Sequence, residues 1–398
     1  MSDIFSDRDR RHMARALELA AEGLFSADPN PRVGCVLARD DRVVGEGWHR
    51  RVGKSHAEVL ALRDAGAAAR GATAYVSLEP CSHFGRTPPC ADALIRAGVA
   101  RVVAAMEDSN PQVSGQGLAR LRAAGVAAQS GLLESEARAL NPGFVKRMET
   151  GLPYVRIKSA LSLDGRTAMA SGESRWISSP ESRADVQRWR ARSSAVLTGI
   201  GTVLADDPSL NVRMESEAWG RGPVRQPMRV ILDGRGRLPA NAKTLGFPGI
   251  VLAFTEPGAS VPEGALHETA PYSASGLDLI AVLRALAARE MNEILVEAGP
   301  TLAGAFVAAG LADELVLYLA PHLMGDAARG LFRLSGLERM VQRIALDIVD
   351  IQRLGPDMRI IARPLPPNEE PQMDADTRRL RADNMEKKGP RMDTDTHG

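Results

Sequence analysis

Apolar positions recur first at helical and then at strand spacing through the opening third of the chain. Met13, Ala16, Leu17 and Ala20 share one helix face behind Ser6-Asp7-Arg8-Asp9, a capping box with aspartate in the commoner glutamate's place, and Gly23 offers a stop. Cys35-Val36-Leu37-Ala38 and the segment 43–48 flank Asp40-Asp41, which predicts a hairpin with Cys35 buried among aliphatics. Helical propensity is strong over 58–65, immediately after His56. A buried strand over 74–78, a helix over 90–95 and a strand over 99–106 follow. Residues 107–111 read as a polar turn, and 118–124 as a helix. A further helix after Gly131-Leu132-Leu133 is broken at Asn141-Pro142-Gly143, and Thr150-Gly151-Leu152-Pro153 marks a domain boundary. This β-α-β-α-β order predicts a partly parallel sheet with helices on its faces.

The second half restarts the pattern. A strand over 154–161 and a Gly/Ser-rich turn at 170–174 precede a long helix from Glu181 that carries Val186, Trp189 and Arg190. Buried strands are predicted at 195–199, 229–233 and 249–253, with closing strands at 315–319 and 344–349. The clearest unit is a strand over 293–297, the turn Ala298-Gly299-Pro300, and a helix over 301–309 stopped by Gly310. Such a turn can offer backbone N–H groups and a positive dipole end to a nucleotide diphosphate, although purely structural turns of this kind are as common. It lacks the G-x-G-x-x-G pattern of an ordinary Rossmann site. The fold class expected is α/β in two domains, residues 1–148 and 149–365. Over 366–398 charges of both signs, prolines and methionines replace aliphatics, which predicts a disordered tail.

Composition narrows the function. At 398 residues and a formal net charge of +1, the chain has material for two cores and no basic excess that would call for nucleic acid. Residues 1–11 hold no apolar run of the signal-peptide kind, and no stretch approaches the ~18 apolar residues of a membrane span. With three cysteines a disulfide framework is not expected, and a cytoplasmic, soluble protein is.

Two of those cysteines belong to a chemical motif. His56-Ala57-Glu58 is followed by Pro80-Cys81-Ser82-His83-Phe84-Gly85-Arg86-Thr87-Pro88-Pro89-Cys90. One imidazole and two thiolates suit Zn²⁺ with a fourth position left for water, whose pKa the metal lowers toward neutrality. Glu58, two residues past the ligand, can shuttle protons without touching the metal. This is the H-x-E…P-C arrangement of zinc deaminases, with eight residues between the cysteines where most such enzymes have two. The alternative is a closed zinc knot with His83 as fourth ligand, which leaves Glu58 without a purpose. A nucleic-acid-editing deaminase would want the short cysteine spacing and a basic, aromatic-studded groove. A binding module with a dead site would not need every reactive group present.

These motifs, with Asn30-Pro31, Val33-Gly34, Ser162-Leu163-Asp164-Gly165-Arg166, Ser171-Gly172-Glu173-Ser174, Asp206-Asp207-Pro208 and Val296-Glu297-Ala298-Gly299-Pro300-Thr301-Leu302, resemble the bifunctional deaminase/reductases of riboflavin biosynthesis from residue 7 to about 363. The resemblance implies a cytidine-deaminase-like α/β/α domain and a dihydrofolate-reductase-like domain. The first would hydrolyse an amino group from a phosphoribosylaminopyrimidine; the second would reduce the ribosyl side chain with NADPH. It implies His56, Cys81 and Cys90 as ligands of one Zn²⁺ and Glu58 as proton shuttle. Asn30, His49 and His83 would be ring contacts, and Asp108 and Asn110 would hold the ribose phosphate. For NADPH it implies Ala160, Trp176, Thr202, Asp206, Gly299, Pro300, Thr301, Leu302, Ala303, Gly304 and Ala305. For the reductase substrate it implies Ser174, Arg190, Leu210, Arg213 and Glu297, with Lys158 near the reacting carbon. The partners expected are small molecules, neither nucleic acid nor membrane, with homo-oligomers possible.

Overall fold

The structure, a computed structural model, describes residues 4–82, 88–214, 224–274 and 276–366. The first half runs α1 (Asp7–Ala21), β1 (Gly34–Arg39), β2 (Arg42–Trp48), α2 (Ala57–Ala65), β3 (Thr73–Val76), α3 (Cys90–Ala97), β4 (Arg101–Ala104), α4 (Gln116–Ala123), β5 (Ala127–Ser130), α5 (Glu134–Leu140) and α6 (Pro142–Thr150). Its strands form one sheet in the order β2-β1-β3-β4-β5. The hairpin and the β1–β3 pair are antiparallel, and β3, β4 and β5 are parallel. Ser6 caps α1 reciprocally with Asp9, and Cys35 is fully buried, both as the sequence implied. The helix break expected at Asn141-Pro142-Gly143 is borne out, since α5 stops at Leu140 with Asn141 as its C-cap, but the pattern does not predict the helix that follows. Proline fits the first position of a helix, where its missing N–H costs nothing, so α6 starts at once.

The second half comprises β6 (Tyr154–Ser162), β7 (Arg166–Ala168), α7 (Pro180–Arg192), β8 (Ala195–Gly199), α8 (Ile200–Asp206), β9 (Met228–Leu232), β10 (Val251–Thr255), β11 (Leu266–Thr269), β12 (Tyr272–Ser273), β13 (Gly276–Leu277), α9 (Leu279–Ala288), β14 (Glu293–Val296), α10 (Pro300–Ala308), β15 (Glu314–Ala320), β16 (Arg329–Gly330), β17 (Leu346–Leu354) and β18 (Asp357–Pro364). Among the described residues the large sheet has the order β11-β10-β9-β8-β14-β6-β15-β18-β17, parallel up to β15 and closed by the antiparallel β17–β18 hairpin. A core of aliphatics from β6, β8, β9, β10, β14, α9 and α10 fills one side of it. The pattern reading missed β18, whose exposed alternation is weak, and α9. The second had a signal: Asp278 caps the apolar run 279–288, accepting from the N–H groups of Ile280 and Ala281. The α/β class with two sheets is borne out. Among the described residues no helix is long and apolar enough to cross a membrane. The expected tail lies outside the described residues from 367 onward.

Candidate active sites

In the first half, two helix starts and one strand end converge. Gly45 and Gly47 on β2 let α2 lie directly on the strand: a Cβ on Gly47 would sit 2.4 Å from Ala57 O. That contact sets the start of α2, where His56 is the N-cap and Glu58 lies in the first turn. Cys90 is the first residue of α3, and Cys81 follows β3. His56 Nδ1 lies 3.3 Å from Cys90 Sγ and 3.7 Å from Cys81 Sγ, and all three donor atoms lie within 4.8 Å of one another. Ligands about 2.0–2.3 Å from one ion at tetrahedral angles stand roughly this far apart, so the donor set fits zinc. The Cys90 thiol beside Cys81 holds the Cys81 thiol below its usual range, and the same contact pushes Cys90 up. His56 is raised by its hydrogen bond to Cys81.

Glu58 is buried beside these donors, and among the described residues its Oε2 has no hydrogen-bond partner. Burial raises its carboxyl to about 7, with the Cys81 charge adding to the effect. An orphaned buried carboxyl oxygen next to a three-donor cluster is poised to trade protons. His49 closes one side, its ring 5.4 Å from that of His56 and edge-on to it. Its Nδ1 contacts Ser55 O at 3.3 Å and its Nε2 contacts Asn30 Nδ2 at 3.1 Å, while burial lowers its pKa. A carbonyl only accepts, so Nδ1 carries the proton and Nε2 accepts from Asn30. His83 lies outside the described residues.

The sequence reading left Glu79 without a role, although it directly precedes Pro80-Cys81. Its buried carboxylate accepts the backbone N–H groups of Asp108, Gly115, Gly117 and Leu118 at 2.8–3.1 Å. It thus ties the loop of Asp108 and Asn110 to the segment that delivers Cys81, and Asp108 in turn accepts the Asn110 N–H. Only glycine fits at 117, because a Cβ there would lie 1.9 Å from Pro80 O. Gly117→Val should therefore displace Cys81 and weaken zinc retention on the order of tenfold or more, as supporting contacts of metal ligands do. Zinc per chain after dialysis against a graded chelator measures it.

In the second half a cavity of about 1350 Å³ opens at the carboxyl ends of β6, β8, β9 and β14, the end where open α/β sheets bind ligands. Lys158, Ala160, Ser174, Arg190, Thr202, Asp206, Leu210, Glu297 and the turn at Gly299, Pro300, Thr301 and Leu302 line it, with Ala305 one turn further along α10. A Cβ on Gly299 or Gly201 would meet nothing within 4 Å, so backbone is bare to the cavity where a phosphate could approach. Ala303 and Gly304 face away from it. Ala303 is fully buried in the core, and a Cβ on Gly304 would press 2.4 Å from Arg333 O. Trp176 is 71% exposed, stacked under the Arg183 guanidinium at 4.5 Å.

Glu297 and Arg190 form a bidentate pair across this cavity, Nε to Oε1 at 2.5 Å and Nη2 to Oε2 at 3.0 Å. Arg190 Nη1 also donates to Asn211 O. Arg213 is exposed and donates to Ser209 Oγ and Asn211 Oδ1, while Arg237 and Arg329 also line the cavity. Arg190 outweighs the burial of Glu297 and holds its carboxyl down to about 2. Lys158 Nζ stands 3.9 Å from Glu297 Oε2, and burial lowers its pKa.

A metal-fitted donor set in one sheet and a dinucleotide-sized cavity in the other make this a two-headed enzyme, hydrolytic at one end and reducing at the other. Residues 6–106 match the cytidine and deoxycytidylate deaminase zinc-binding region, and residues 153–360 match the RibD C-terminal domain. The chain is 52% identical over 359 residues to the riboflavin biosynthesis protein RibD of Escherichia coli, covering 88% of this chain and 98% of that one. Its fold superposes on RibD of Acinetobacter baumannii with a TM-score of 0.83 at 47% identity, covering 90% and 99% of the two chains. A Thermotoga maritima diaminohydroxyphosphoribosylaminopyrimidine deaminase/5-amino-6-(5-phosphoribosylamino)uracil reductase gives 0.80 at 34% identity, with 90% and 99% covered. The chain belongs to the RibD family of riboflavin biosynthesis proteins. It is a bifunctional deaminase and reductase.

Proposed function

We propose that residues 1–148 hydrolyse the 2-amino group of 2,5-diamino-6-(5-phosphoribosylamino)pyrimidin-4(3H)-one, and that residues 149–365 reduce the ribosyl chain of the resulting uracil to ribityl with NADPH. The observation that carries this is the meeting of His56, Cys81 and Cys90 within 4.8 Å beside the buried Glu58, whose Oε2 is unpartnered among the described residues. Zinc held there supplies Lewis acidity. Glu58 takes a proton from the attacking water and delivers one to the departing amine as the ring C–N bond breaks, so ammonia leaves neutral. Asn30 and His49 hold the pyrimidine edge, and Asp108 and Asn110 the ribose phosphate end.

NADPH, held at Thr202, Asp206 and the Gly299 turn with Ala160 and Trp176 beside it, supplies a hydride in the second site. The bare backbone at Gly299 and the positive end of α10 suit its phosphates. Arg190 keeps Glu297 ionised, Lys158 gives its ammonium proton to the new alkoxide, and Arg213, Ser174 and Leu210 seat the substrate. We place the enzyme in the cytoplasm, with small molecules as its partners and residues 366–398 as a tail. Self-association through the edge strand β17 agrees with its exposed Ile348, Val349 and Ile351.

Incubation with the diaminopyrimidine, with and without NADPH, followed by product mass tests the assignment. Deamination should proceed without NADPH, and reduction should follow only when it is added. A chelator or Cys81→Ser should abolish deamination while reduction of already deaminated substrate continues, with circular dichroism reporting that the first domain stays folded. Joint loss of both activities in a folded protein would sink the two-site assignment.

A further inference from the structure

The loop between α1 and β1 carries Asn30 into the deaminase site, but much of what holds it comes from the reductase half. Asp28 accepts from Ser194 Oγ at 2.8 Å and Asn292 Nδ2 at 3.3 Å, and pairs with Arg225 at 3.4 Å. Asn292 Nδ2 also donates to Pro29 O at 2.7 Å. On the far side of Asn30, the Arg32 guanidinium is buried on Glu293 at 2.7 Å. Glu293 is itself fixed by Arg156 and Arg192. Ser194 directly precedes β8, Asn292 directly precedes β14 and Glu293 opens it, so the clasp is the amino edge of the reductase sheet. Between the two anchors Asn30 spends its Nδ2 on His49, and among the described residues its Oδ1 carries no hydrogen bond.

An asparagine with one amide end committed and the other free contributes to binding only while its backbone is held. Asp28 and Arg32 are tied by charge-assisted bonds, and Pro29 by a neutral one, to a rigid sheet edge, and charge-assisted bonds are strong and directional. We infer that Asn292, at the amino edge of the reductase sheet, is a positioning residue for the deaminase reaction: by clasping Asp28 and Pro29 it holds Asn30 at the pyrimidine site. This rests on the reading of Asn30 as a substrate contact. The consequence is that the reductase half is a working part of the deaminase, beyond sharing a chain with it.

Asn292→Asp is the discriminating variant. It is isosteric, and its Oδ1 still accepts from Arg147 Nε, but it sets a carboxylate oxygen against Pro29 O and the Asp28 carboxylate. In the full-length, zinc-loaded protein, KM for the diaminopyrimidine should rise about tenfold or more with a smaller change in kcat, since displacement of a binding group by even 1 Å costs up to about 10². Zinc content and reduction of pre-deaminated substrate should be unchanged. Asp28→Asn in the same chain restores a donor opposite residue 292 and should recover part of the loss. An unchanged deaminase KM in Asn292→Asp, with Asn30→Ala raising it, overturns the inference and spares the assignment of Asn30. Asn30→Ala without effect overturns both. Equal decline of both activities, or loss of zinc, would mark general unfolding and overturns the positioning role.

Discussion

Glu58→Gln should lower deaminase kcat by at least ~10² while zinc stays at one per chain and reduction of pre-deaminated substrate is untouched. A general acid–base group is worth about 10²–10⁴ in rate, and Glu58 serves two transfers, one from water and one to the leaving amine. Glutamine keeps the shape and the buried position but cannot accept a proton. The metal donors are unaltered by the change, because Glu58 lies beside the cluster of His56, Cys81 and Cys90 without being one of its three members. A glutamate that merely decorated the first turn of α2 would cost less than about 0.5 kcal/mol when replaced. Its burial and unpartnered Oε2 speak against that. Single-turnover deamination, read beside zinc content, decides the matter: near-normal turnover in zinc-loaded Glu58→Gln would refute the mechanism.

The second large effect is expected at the reductase ion pair. Arg190→Leu should destabilise the second domain by about 3–5 kcal/mol, because it leaves the buried Glu297 carboxylate without its bidentate partner and with only the weaker charges of Lys158 and Arg213 near it among the described residues. For a domain of this size that is a fall in melting temperature on the order of 10 °C. Arg190→Leu with Glu297→Leu should recover most of the stability, since no stranded charge remains, and still show no reduction. The pH dependence has a definite sign. The folded-state pKa of Glu297 is depressed to about 2 from 4.5, so its contribution is fully present above pH ~4.5 and is lost as pH falls toward about 2. The double variant should lack that acid-side loss. Thermal melts of wild type and both variants between pH 2 and 7 measure it, and a double variant as unstable as Arg190→Leu would contradict the argument.

Local sequence determined much of this protein. The period of apolar residues disclosed α1, the β1–β2 hairpin, the parallel strands other than β5 and β11, and the strand-turn-helix at Gly299, because each depends on neighbours a few residues apart. The spacing of His56, Glu58, Cys81 and Cys90 disclosed the deaminase chemistry, since a zinc site needs these side chains and few other uses account for all four. Asn141-Pro142 marked the end of α5 but not the start of α6: proline breaks a helix inside it and also starts one at its first position.

Tertiary structure alone decided the rest. No local pattern tells that Arg190 pairs with Glu297, a residue more than a hundred positions away. The same holds for Ala303 and Gly304, which sit in a cavity-lining turn by sequence and face the core by helix phase. Glu79 collects N–H groups from a segment 29 to 39 residues on, and Asp28 and Pro29 accept from Asn292, more than 260 positions away. Long-range hydrogen bonds and ion pairs form between groups whose sequence separation carries no period, so a single sequence supplies the donors and acceptors while only the packed fold shows which of them meet.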